Sequence, residues 1–246
     1  MAETETTKNQ RIKAGTKLLE KHVPFVLPAM VWYYASEIPS TALVPQNGIW
    51  SCAFSFLEEV AEGKTLCISA DNPGCSGASN YFGFSSSSVG APKMLVENER
   101  FKKTIELGQA FYDSVGAVPA EKKYVALTKI DNLNEIESPE VVTLWVSANS
   151  LSGLVTLANY DRETNDNVLI PFASGCQSVF TIPLQEKLRK SPKCVVGLVD
   201  PAVRRHVPSG TLSFSVAADR FLEVTNNVVG SFLELDSWKR VTETTR

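Results

Sequence analysis

The chain has 246 residues, of which 43% are hydrophobic, 21% charged and 9% aromatic. That is enough for one sizeable globular core, and it excludes disordered, collagen-like and coiled-coil architectures. A formal net charge of −3 and a pI near 5.6 offer no basic field, so nucleic acid is not an expected partner. Residues 1–8 are polar and expected to fray, ahead of a single α+β domain over 9–246. A helix over about 9–21 carries Ile12, Leu18 and Leu19, and His22 closes it as a solvated residue. Phe25 to Tyr34, rich in β-branched and aromatic residues, reads as a strand. The apolar stretch Val23–Ala35 is 13 residues long and holds Pro24 and Pro28. It is too short to span a bilayer as a helix, and the mixed-charge residues before it do not read as a secretory leader.

Trp50, Ala53, Phe54, Leu57, Val60 and Ala61 fall at helical spacing, so a helix is expected over 49–62. Lys64 to Ala70 reads as a strand. A glycine-rich turn and short helix follow at Gly74 to Phe84, and the serine run Ser85 to Ser88 reads as a loop. Phe101, Ile105, Gly108 and Tyr112 place a helix at 98–114. Lys123 to Lys129 and Val141 to Ser147 read as strands, the second passing into a helix begun by Asn149 or Ser150. A helical stretch from Ser174 meets Pro183, which should kink it or start a second helix to about Arg189. Lys193 to Val199 and Thr211 to Val216 are strands, then come a helix over 217–227 and a short one through Trp238. Trp50, Trp145 and Trp238 read as core. Strands and helices alternate without a regular βαβ rhythm, which favours an α+β class: a mixed sheet with helices packed around it in a single compact domain.

The five cysteines carry the chemistry. They are too few and too unevenly placed for a stapled secreted scaffold, and free thiols fit a reducing, cytoplasmic compartment. Cys52 lies opposite the apolar stripe of its expected helix, in the first turn. Cys75 follows Gly74 in a loop that opens a short helix, with Gly77 leaving room for a ligand to approach backbone. Cys176 follows Ser174, a plausible N-cap, and Gly175. Three cysteines at three helix starts suggest thiolates favoured by the helix dipole. Cys67 and Cys194 lie inside β-rich runs and read as core filling. No C-x-x-C pair is present, so zinc-ribbon and thioredoxin patterns are missing, and the loop at Gly74 lacks the lysine and spacing of a P-loop. Arg204, Arg205 and His206 form a basic turn that could receive an anionic group, and a Cys176–His206 nucleophilic pair remains open.

Six segments carry a further signal together: Trp50-Ser51-Cys52, Cys75-Ser76-Gly77-Ala78 with Gly83-Phe84, Gly175-Cys176-Gln177-Ser178, Asp200-Pro201-Ala202-Val203-Arg204, Leu212-Ser213-Phe214, and Ser231-Phe232-Leu233 with Trp238. In order and spacing they resemble a prokaryotic family, the domain of unknown function 169, also called uncharacterised ArCR. The resemblance covers about residues 15–241, and it implies that Cys52, Cys75, Cys176 and Arg204 belong to the family pattern while Cys67 and Cys194 do not. It brings no activity with it. Three readings follow. The first is a metal or iron–sulfur centre on Cys52, Cys75 and Cys176. In the second, Cys176 acts as a catalytic thiolate or the protein binds a small anionic ligand, with Arg204 receiving the negative group. In the third, the domain is structural or mediates interactions and its cysteines are incidental.

Overall fold

The computed structural model describes residues 5–85, 90–133 and 137–243. The fold is α+β, built on a seven-stranded mixed sheet in the order β2-β3-β1-β4-β7-β6-β5. The strands are β1 (Leu27–Ala35), β2 (Leu66–Ser69), β3 (Tyr124–Lys129), β4 (Pro139–Val146), β5 (Val168–Leu169), β6 (Cys194–Gly197) and β7 (Leu212–Ala217). Neighbours pair antiparallel except β5 with β6. The central strands alternate between two buried faces, as the period-2 geometry of a strand demands. On one face Val31, Tyr33, Val142, Leu144, Phe214 and Val216 join a core with α1 (Glu5–Glu20), α6 (Ala148–Asn159), α8 (Ala218–Asn226) and α9 (Asp236–Glu243). On the other, Met30, Trp32, Tyr34, Val141 and Trp145 meet α2 (Leu57–Ala61), α3 (Ser76–Tyr81), α5 (Ile105–Val115) and α7 (Ile182–Lys187). Cys67 and Cys194 are both buried in strands of the first face. A short helix, α4 (Ala91–Lys93), continues as a π-turn over Met94–Asn98.

Several local expectations are corrected. The first helix starts at Glu5, so 5–8 are helical rather than frayed, while residues 1–4 lie outside the described residues. Of the serine run, 86–88 also lie outside them. The helix expected over 49–62 is shortened to a 3-10 turn at Ala53–Phe56 followed by α2, because residues 50–52 are drawn out by pairing with another segment. The helix expected at 98–114 begins at Ile105, where the Thr104 hydroxyl accepts from the Leu107 N–H. Ser147, rather than Asn149 or Ser150, caps α6, its hydroxyl accepting from the Ser150 N–H. Pro183 stands in the first turn of α7, in keeping with the expectation that it starts a second helix. The preceding turn, Gln177–Thr181, widens to π geometry, which suits a residue that has no N–H to donate and a ring that would crowd the carbonyl behind it. His22 is tied down rather than solvated. Its Nδ1 lies 3.2 Å from the Leu233 carbonyl, and its own carbonyl accepts from the Trp238 indole at 2.7 Å.

Candidate functional site

The second face of the sheet supports a cavity of about 150 Å³ lined by Cys52, Cys75 and Cys176. These residues are 23 and 101 positions apart in sequence, so only tertiary structure brings them together. Two contacts explain how. The Ser51 N–H donates to the Gly74 carbonyl at 2.9 Å, which lays residues 51–52 beside 74–75. Gly74 has φ +77°, and a Cβ there would stand 2.8 Å from the Ser51 carbonyl oxygen, so the pairing needs glycine. The second contact brings in Cys176. A Cβ on Gly175 would lie 2.7 Å from the Phe54 ring and 3.0 Å from Val203, so its absence lets the helix start press against both. In each case a glycine precedes the cysteine and admits the neighbouring segment.

All three cysteines sit at helix starts. Cys52 precedes the 3-10 turn and Cys75 precedes α3, where its Sγ accepts from the Ala78 N–H at 3.3 Å. Cys176 lies one residue inside its helix, whose first residue is Gly175. Ser174 holds the capping position: its N–H donates to Gln177 Oε1 at 2.9 Å, while its hydroxyl turns away to Tyr81. The electrostatic expectation fails, however. Burial pushes the Cys52 thiol up to about 11. Burial raises the Cys75 thiol too, against hydrogen bonds from the Ala78 and Gly77 amides. Cys176 is pushed well above the ordinary thiol range by burial first, then by Cys52, Cys75 and Asp200. Desolvation of a charged sulfur outweighs the partial charge of a helix end. The cavity is therefore lined by three neutral thiols. Among the described residues, no group of three or more His, Cys, Asp or Glu side chains is arranged to hold a metal ion as they stand.

Two carboxyls share the space. Asp200 is buried, and one of its oxygens accepts from the Ala202 N–H at 2.8 Å. Burial raises it, opposed by amides that include Gly175, so it also anchors the helix start that carries Cys176. Glu99, just beyond the π-turn, is raised by burial and then by Asp200. Neither carboxyl forms an ion pair among the described residues. Tyr81 and Tyr112 line the far wall as a stacked pair with centroids 6.0 Å apart. Gly77 lines the cavity, and a Cβ there would stand only 3.2 Å from the Tyr81 ring.

Arg204 does not line the cavity. Its Nη1 donates to the Leu198 carbonyl at 3.3 Å and to the Thr211 carbonyl, closing the two ends of the loop that follows β6. Leu198 has φ +64° and is fully buried, a left-handed conformation that the clamp holds in place. The next two residues reach the site instead. Arg205 and His206 stand at the cavity mouth with Trp50, which is 62% exposed and so is not the core residue its spacing suggested. The Arg205 guanidinium lies 5.7 Å from the Trp50 ring, and its Nε–H donates to His206 Nε2 at 3.1 Å. That bond leaves the ring proton of His206 on Nδ1, and burial followed by Arg205 lowers the imidazole further. Asp200 and Arg205 had a signal in the sequence, a loop just after a strand. Glu99, Tyr81 and the exposure of Trp50 had none.

A family model described as DUF169, uncharacterised ArCR, matches residues 27–227. No curated protein and no solved structure matches the chain. No helix among the described residues is long and apolar enough to cross a membrane.

Proposed function

The chain belongs to the DUF169 family of uncharacterised ArCR proteins, and we propose that it binds a thiophilic centre, a soft metal ion or an iron–sulfur core, through Cys52, Cys75 and Cys176. The observation that carries this reading is that three thiols from distant segments line one cavity. The two carboxyls beside them, Glu99 and Asp200, form no ion pair among the described residues, so a cation bound at the thiols would find acidic partners close by. Sulfur donors select soft metals and iron–sulfur cores over hard cations. Because the thiols are neutral and not yet grouped for one ion, loading requires each to lose its proton and turn inward. Five free thiols suit a reducing, cytoplasmic setting.

Anaerobic reconstitution with iron and sulfide, and separately with zinc or cobalt, tests the proposal. Sulfur-to-metal charge-transfer bands should develop. They should be lost in Cys52→Ser, Cys75→Ser and Cys176→Ser and kept in Cys67→Ser and Cys194→Ser. Failure of every metal to bind, or equal binding by all five variants, refutes the reading and leaves a structural or interaction domain. A catalytic Cys176–His206 pair is not supported. Burial keeps the thiol protonated, and His206 Nε2 is occupied by the Arg205 N–H. For a small anionic ligand, Arg204 is committed to backbone carbonyls, and Arg205 takes its place as the cation at the mouth.

A further inference from the structure

The mouth of the cavity carries a second inference, one that does not depend on the thiol-held centre. We propose that Trp50, Arg205 and His206 form a recognition site for a small organic monocarboxylate whose apolar body lies against Trp50 and enters the cavity.

The first observation is Trp50 itself. The other three tryptophans are 1%, 0% and 7% exposed, whereas Trp50 presents 62% of its surface to solvent at the edge of a cavity. Arg205 and His206 pack against its ring at 5.7 and 6.4 Å, and much of the indole stays uncovered. An indole held in place and left open costs little entropy to use as an apolar platform.

The second observation is the state of Arg205. A guanidinium offers two edges for a bidentate acceptor, one made of Nε with an Nη and one made of both Nη groups. His206 takes the Nε–H at 3.1 Å, so the end-on edge is the one left for a ligand. No carboxylate pairs with Arg205 among the described residues, although the chain has 27 acidic residues. The fork matches the planar geometry of a carboxylate, and the Nδ1–H of His206 supplies a further donor nearby. The rest of the ring–guanidinium assembly orients these donors before any ligand arrives.

Charge and size then narrow the class. Arg205 is the one formal cation among the cavity-lining residues, and Glu99 and Asp200 lie inside the same space. A single negative charge can be met at the mouth, whereas a phosphate dianion would keep an unmatched charge facing those carboxyls. The cavity of about 150 Å³ is comparable to an apolar protein cavity of about 150 Å³ that takes up benzene. Its wall of Met94, Phe54, Ala78 and Tyr112 suits an apolar or aromatic body.

The probe is benzoate, with benzamide as its neutral isostere and phenyl phosphate as the dianion. Reduced, metal-free protein is titrated with each, and binding is followed by calorimetry and by tryptophan fluorescence. Benzoate should bind saturably, about tenfold or more tighter than either comparison compound, from one charge-assisted bidentate pair. Trp50→Phe should lose the fluorescence response. Arg205→Gln should lose about tenfold in benzoate affinity together with the preference over benzamide. Arg205→Lys should recover only part of it, because it keeps the charge without the fork. Equal binding of benzoate and benzamide, tighter binding of phenyl phosphate, unchanged affinity in Arg205→Gln, or no saturable benzoate binding each overturns the proposal. Arg205→Gln separates the two readings: it should weaken benzoate binding and leave metal loading in place. Metal loading without benzoate binding refutes this site alone.

Discussion

Gly74→Ala tests the contact that sets Cys52 beside Cys75, and Gly48→Ala supplies its control. Both glycines have nearly the same backbone, φ +77° and φ +76°. They differ in what a new Cβ would meet: at Gly48 there is nothing within 4 Å, and at Gly74 the Ser51 carbonyl oxygen stands at 2.8 Å with Ser51 Oγ at 3.0 Å. The left-handed backbone therefore costs about 1 kcal/mol in either variant. At Gly74 the Ser51 backbone must also move, because a carbonyl cannot rotate aside as a flexible side chain would. That movement strains the Ser51 N–H to Gly74 bond of 2.9 Å, a bond worth about 1 kcal/mol, and it disturbs the packing around Phe54. The expected cost is about 1 kcal/mol for Gly48→Ala and about 2–4 kcal/mol for Gly74→Ala. Urea unfolding at constant m-value measures both. A thiol reagent should at the same time modify Cys52 and Cys75 faster in Gly74→Ala, with Cys67 and Cys194 still slow. If the two variants agree within about 0.5 kcal/mol, near the resolution of such measurements, the segment at 50–52 is not held against Gly74 and the account of the site's assembly is wrong.

Metal affinity should rise with pH from neutrality toward the Cys52 value of about 11, because each thiolate ligand must first lose a proton; a pH-independent affinity argues against thiolate ligation. Asp200 is raised in the folded state, so the folded protein binds more protons than the unfolded chain just above the ordinary carboxylate value. Stability should fall as pH rises from about 3.9 through the folded value, and Asp200→Asn should flatten that fall in pH-dependent unfolding. Arg220 is fully buried between Asp161, Glu223 and the Ala158 carbonyl. Arg220→Met should destabilise by about 2–4 kcal/mol in urea, less than a fully enclosed pair because both carboxylates are partly exposed. Cys67→Ala and Cys194→Ala should each cost about 1–2 kcal/mol through a small cavity, with no effect on metal loading.

Helical spacing and β-rich runs made the α+β class readable, since burial on both sheet faces leaves an unbroken run of β-branched and aromatic residues at Val31, Trp32, Tyr33 and Tyr34. The same reasoning found Cys67 and Cys194, whose neighbours along the chain are the β-rich residues they pack with. It also found that Cys52, Cys75 and Cys176 stand at helix starts, because glycine and serine mark such places locally. Their convergence on one cavity, by contrast, is set by Gly74 against Ser51 and Gly175 against Phe54, contacts between segments far apart in the chain. The thiol charge state followed burial rather than position in a helix, and burial is a property of the whole fold. Local composition likewise could not separate Arg204 from Arg205. Which of the two adjacent arginines clamps the loop and which faces the cavity depends on where the left-handed Leu198 turns the chain, and that turn is fixed by the carbonyls that Arg204 reaches across the closed loop.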